Sequence, residues 1–203
     1  MYSSNQVNKL FSERPLSDYL RERTETIKKE IKNLTLDQIS DTEVSSADEL
    51  IRRNALNAPS LLEDRALIDA KESRIHVHQE HDGFKAGFTP DLIQGLSITV
   101  KIPFEGSSAL FKYAPSTYSL SGTPHGKIED SNLVLNYETR EKDPEIIKQL
   151  WSNDINVIKQ HLSWTANDVS QYNGALADVV RDSLNQRKAE AENNQSLIGK
   201  LKY

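Results

Sequence analysis

The sequence predicts an α+β fold: a small antiparallel sheet of about four strands packed by helices, with a long carboxy-terminal helix. Three observations predict it. Leu96, Ile98, Val100, Ile102 and Phe104 alternate with Ser97, Thr99, Lys101 and Pro103, the period-two signature of a strand buried on one side. From Trp151 onward apolar residues recur by threes and fours over many turns. Near the start, Leu16, Leu20, Ile27, Ile31 and Leu34 recur at helical spacing among charged residues.

Residues 1–14 read as a flexible amino-terminal segment, and the amphipathic pattern from about Pro15 to Asn33 as the first helix. Thr35 to Ser46 is an acidic loop rich in Ser, Thr and Asp. It ends in Ser46-Ala47-Asp48-Glu49, which has the spacing of a capping box and opens a short helix to about Leu56. Asn57-Ala58-Pro59 stops it. An extended stretch from Leu67 leads to Ile75 and Val77, alternating with Arg74, His76 and His78. Asp82 to Pro90 reads as a loop with two glycines and a proline. After the strand ending at Phe104, Glu105 to Ser108 is a turn, Ala109 to Tyr113 a partner strand, Ala114 to Gly126 a loop, and Lys127 to Thr139 the last strand, with Leu133, Leu135 and Tyr137 on one face.

Together, 15–142 form the α+β domain. In the long helix, 143–195, Asp143 suits the capping position, Pro144 the first turn and Glu145 its positive end. Trp151, Ile155, Ile158, Leu162, Thr165, Val169, Tyr172, Leu176 and Val179 form its seam. Such a helix is too long for a compact chain of this size, so it must break, with Gly174 the weak point, or project. Residues 196–203 read as a tail in which apolar residues return, as if the chain were the amino-terminal piece of a longer protein.

Composition removes several functions. The 203 residues contain no cysteine, which excludes disulfides, thiolate zinc sites, iron–sulfur clusters and a cysteine nucleophile. A net charge of -5 disfavours nucleic acid or anionic membrane as a partner through bulk charge. The basic residues Arg21, Arg23, Lys28, Lys29 and Lys32 are interleaved with Asp18, Glu22, Glu25 and Glu30, the pattern of a solvated helix face. No window matches a signal peptide or membrane span, so the expectation is a cytoplasmic protein without a membrane partner.

One cluster has metal-ligand chemistry. On a strand His76 and His78 share a face, and their imidazoles, with His81, can bind a divalent metal such as zinc for hydrolysis. The same run also reads as the wet face of a strand entering a polar turn. Ser121-Gly122-Thr123-Pro124-His125-Gly126 holds a hydroxyl and an imidazole, but its glycines and prolines read as a turn. No phosphate-binding loop or nucleophile elbow is present. With no complete catalytic constellation, the expectation is a non-catalytic module with no cofactor. It would bind a protein partner or itself through Trp151, Ile158, Leu162, Val169, Tyr172 and Leu176 of the long helix, residues that equally suit a core.

Ile102-Pro103-Phe104-Glu105-Gly106, Leu110-Phe111 and Ala114-Pro115-Ser116, followed by Val169-Ser170-Gln171-Tyr172-Asn173-Gly174-Ala175-Leu176 and Arg187-Lys188, resemble an arrangement in amino-terminal regions of uncharacterised bacterial proteins. Some of those carry a nuclease or Toll/interleukin-receptor-type effector domain in phage-defence settings. The resemblance covers roughly residues 95 to 190 and carries no catalytic motif. It implies an accessory, sensing or assembly role.

Overall fold

The computed structural model describes residues 9–35, 38–39, 45–77, 91–117, 123–140 and 142–201. Among the described residues, three helices of ten residues or more and five strands make the α+β fold. They are α1 (Leu16–Lys32), α2 (Ser45–Asn54), β1 (Ser60–Leu61), β2 (Leu67–Val77), β3 (Asp91–Glu105), β4 (Lys127–Glu129), β5 (Asn132–Thr139) and α3 (Pro144–Leu201). Every pairing in the sheet is antiparallel. β3 is its spine, with β1 and β2 end to end along one edge and β5, then β4, along the other.

The alternation read in β3 is the one the sheet uses. Ile98, Val100, Ile102 and Phe104 are buried, as are Leu133, Leu135 and Tyr137 of β5, and Ile155, Ile158 and Leu162 of α3 share their cluster. In register, Val100 pairs with Leu135 and Ile102 with Leu133. The other face is mixed: Val134 is buried on it, and Thr99 donates its hydroxyl to Asn136 Oδ1 at 2.9 Å. A second core lies between the helices, where Leu16, Leu20, Ile27 and Ile31 of α1, Leu50 of α2, and Val169, Tyr172, Leu176 and Val180 of α3 are buried together.

Both helix starts show how local sequence and tertiary partners divide the work. The α3 start follows the sequence, since Asp143 Oδ1 accepts the Glu145 N–H at 2.9 Å. At α1 no side chain caps the helix; the carbonyl of Ala114 accepts the first helical N–H, of Leu16, at 2.7 Å. The capping box expected at Ser46 falls on a side chain outside those described.

Several expected elements differ. Ala109 to Tyr113 is not a strand: Ser108–Lys112 is a 3-10 turn. Its adjacent Leu110 and Phe111 are buried in different cores, Leu110 among the helices and Phe111 against the sheet, so their alternation does not come from a ladder. The last strand is a hairpin, turned at Asp130 with φ 52°. Residues 9–14 are tied down rather than loose, with Leu10 and Phe11 buried and Phe11 donating its N–H to the Phe111 carbonyl at 2.6 Å.

The long helix does not break at Gly174. α3 runs unbroken for 58 residues, about 87 Å at 1.5 Å per residue. It continues through part of the expected tail, to Leu201. Its buried stripe passes through Val180 rather than Val179, as a 3.6-residue helix drifts from a strict heptad.

Candidate functional site

Of the three helices α1, α2 and α3, α3 is the one that packs into both cores, and its length divides into regions with different chemistry. Its first half lies on the sheet, and Val169 to Val180 pack against α1 and α2. Between them the buried face turns polar at His161, Thr165 and Asp168. The His161 ring stacks on Phe11 at 5.1 Å and meets Trp164 edge-on at 5.1 Å, and its Nδ1 lies 2.9 Å from the Val157 carbonyl. Asp168 accepts the Ser116 N–H at 2.8 Å and also its hydroxyl, tying the loop after the 3-10 turn to the helix.

Beside this tie is a cleft of about 400 Å³ lined by Ser17, Arg21, Thr24, Ser116, Asp168 and Tyr172 among others. Further along, Lys28, Lys32, Asp182, Ser183, Arg187 and Glu190 line a second cleft of about 440 Å³. Val179 borders both, so the two clefts are neighbours between α1 and α3. The two clefts carry charges of both signs, and Arg21 and Lys28 are already paired with Asp18 and Glu25.

At the outer side of α1, Tyr19 and Tyr113 stack at 4.3 Å. The guanidinium of Arg14 lies 5.4 Å from the Tyr113 ring centre and that of Arg23 5.7 Å from Tyr19. Arg14 also reaches Glu22 at 2.7 Å. That hydrogen bond holds the Glu22 carboxyl below its ordinary range and raises Arg14 further above its own. The Tyr19–Tyr113 stack joins α1 to the residue after the 3-10 turn, and each ring carries a cation, Arg23 from within α1 on Tyr19 and Arg14 from before α1 on Tyr113.

The residues expected to bind a partner are placed mostly in the cores. Ile158 and Leu162 belong to the sheet-side core, with Trp151 partly buried against it, and Val169, Tyr172 and Leu176 belong to the helical core. Their seam therefore faces the chain's own sheet and helices, with Tyr172 and Leu176 also bordering the cleft beside Ser116 and Asp168. His76 lies on β2 opposite Leu92, while its side chain, and all of His78 and His81, are outside the described residues. Among the described residues no three His, Asp or Glu side chains are grouped to hold a metal ion. His125 forms an isolated bridge with Lys9, and the Pro124 carbonyl accepts the Leu10 N–H at 2.9 Å, so this part of the Ser121–Gly126 run anchors the amino-terminal segment. Among the described residues no helix is long and apolar enough to cross a membrane.

Two features were not singled out from the sequence. The Ser116–Asp168 tie joins residues 52 apart, a distance at which no spacing rule operates. Past Ala191, the last buried position of α3, the helix exposes Leu197 (57% of its surface), Ile198 (53%) and Leu201 (77%). The apolar return at Leu197 was visible in the sequence; its place on a helix was not. The fold defines this chain as an α+β protein with an antiparallel sheet and a projecting helix. Comparison with protein-family models, with curated proteins and with solved structures gives no match.

Proposed function

We propose that this chain is a non-catalytic interaction or regulatory module that engages a protein partner, or a second copy, through the projecting end of α3. The observation that carries this reading is the apolar face there. Ile198 follows the buried Ala191 by two helical turns and Leu201 by nearly three, so they continue the side that α3 buries. Exposed apolar residues gathered on one helix face mark a surface for a partner, whereas scattered ones need no explanation. The resemblance to amino-terminal regions of defence-type bacterial proteins supports an accessory or sensing role, with an effector on a separate domain or chain.

The test compares the native protein with a Leu197→Glu, Leu201→Glu variant in pull-downs from the host lysate and in light scattering. Both positions are exposed, so the fold tolerates the change. A partner or oligomer held by the native protein and lost by the variant supports the reading; identical behaviour of the two overturns it. Metal content measured on the same samples tests the His76, His78 and His81 cluster.

A further inference from the structure

A second surface stands apart from the helix end and carries its own argument. β2 lies on an edge of the sheet, and among the described residues no strand pairs with its outer side. From Leu67 to Glu72 every residue is exposed, so neither face of this stretch is covered. Leu67 is 69% exposed and Ile68 56%. A bare edge of this length is a template for another strand, and charged side chains along it normally suppress such pairing. The order of the charges on β2, however, favours one pairing of the stretch from Leu67 to Ser73.

Two identical antiparallel strands related by a two-fold axis must centre on a residue. Opposed residues are either both hydrogen-bonded across the ladder or both not, and neighbours on one strand point their N–H and C=O groups to opposite edges. A two-fold centred on Asp69, Lys71 or Glu72 sets that charge against its own copy, which is destabilising. One centred on Ser73 opposes Glu72 to Arg74, but it sets Leu67 and Ile68 against positions beyond the described end of β2 at Val77. One centred on Ala70 opposes no like charges and keeps Leu67 to Ser73 within the described strand. It opposes Asp69 to Lys71 twice over by symmetry, places Leu67 opposite Ser73 and Ile68 opposite Glu72, and sets Ile68 diagonally beside Ala70 of the second copy.

We propose that the edge of β2, from Leu67 to Ser73, pairs antiparallel with the same segment of a second copy of this chain, in the register that opposes Asp69 to Lys71. The charges that repel other strands then act as the specificity device, since only their own complement satisfies them. The ladder is short, so the association is weak and concentration-dependent rather than obligate.

The experiment is analytical ultracentrifugation over a concentration series of the native protein, Asp69→Lys, Lys71→Asp, the double swap Asp69→Lys, Lys71→Asp, and the Leu197→Glu, Leu201→Glu variant. All four positions substituted are exposed, and circular dichroism verifies folding. The expected result is a native dimer, association weakened about tenfold or more in each single variant, where the two opposed pairs become like-charged, and recovery in the double swap. The helix-end variant should dimerise like the native protein. A native protein monomeric at every concentration, a dimer indifferent to the single changes, or a double swap that fails to recover overturns the proposal. Loss of the dimer in the helix-end variant alone also overturns it, while leaving the reading of α3 intact.

Discussion

The side-chain amide of Asn173 pairs at two points with the backbone of Leu56: it donates from Nδ2 to the Leu56 carbonyl at 2.8 Å and accepts the Leu56 N–H at Oδ1, 3.0 Å. The pair lies just past the end of α2, where a helix leaves its last carbonyls without intrahelical donors. Beside it, Tyr172 donates its hydroxyl to the Asn54 carbonyl at 3.2 Å. Successive residues of α3 thus anchor the exit of α2, and α3 acts as the frame for the helical core as well as for the sheet.

Replacing Asn173 by Ala should destabilise the protein by about 1–3 kcal/mol, since each hydrogen bond contributes roughly 0.5–1.5 kcal/mol and partly buried groups of Leu56 lose their partner. Urea denaturation measures it. Asn173→Asp keeps the acceptor and loses the donor, and should also be destabilised, because a carboxylate faces the Leu56 carbonyl.

Two glycines should respond in opposite directions to alanine. Gly174 is inside α3 with no atom within 4 Å of an added Cβ, so Gly174→Ala should stabilise by about 0.5–1 kcal/mol. Gly106 has φ +93°, and an added Cβ would sit 2.5 Å from the Ala58 carbonyl oxygen. Gly106→Ala should therefore lower the melting temperature while Gly174→Ala raises it.

Ile158 and Leu201 lie on the same helix and separate its core role from its surface role. Ile158→Ala, at a position with no exposed surface, should cost about 2–5 kcal/mol. Leu201→Ala should change stability by less than about 0.5 kcal/mol. Equal costs in chemical denaturation would mean that the projecting end of α3 is packed in solution.

The carboxyl of Glu22 should titrate below the ordinary glutamate range, held down by its hydrogen bond to Arg14. Its pKa is lower folded than unfolded, so the stability it contributes is present above the ordinary range and fades as pH falls through the folded value. Both groups are exposed and screened, so the contribution is small. NMR titration of Glu22 in Arg14→Ala should show its pKa moving up, and added salt should shrink the difference.

Where a segment's burial follows its own periodicity, the sequence was sufficient. The one-sided alternation of Leu96 to Phe104, the helical stripe of Leu16 to Ile31 and the Asp143-Pro144-Glu145 start of α3 all appear in the fold, because period and capping are local properties. The stretch Ala109 to Tyr113 failed as a strand because Leu110 and Phe111 serve two cores, and membership of a core is not a local property. The amino-terminal residues from Lys9 to Arg14 carry no periodic pattern, yet backbone hydrogen bonds to Phe111, Lys112 and Pro124 hold them in place.

The candidate surfaces divide in the same way. The sequence by itself determined that α3 is amphipathic and overlong, that no thiol chemistry is available, and which charges alternate along β2. Only the tertiary structure decided that Ile158, Leu162, Val169, Tyr172 and Leu176 are spent on the chain's own cores, whereas Leu197, Ile198 and Leu201 are exposed. It likewise put β2 on an edge and Ser116 against Asp168. The physical reason is that periodicity states which face of an element is apolar, while burial depends on where neighbouring elements begin and end along it. α3 is buried as far as Ala191, and beyond it the same apolar face meets solvent.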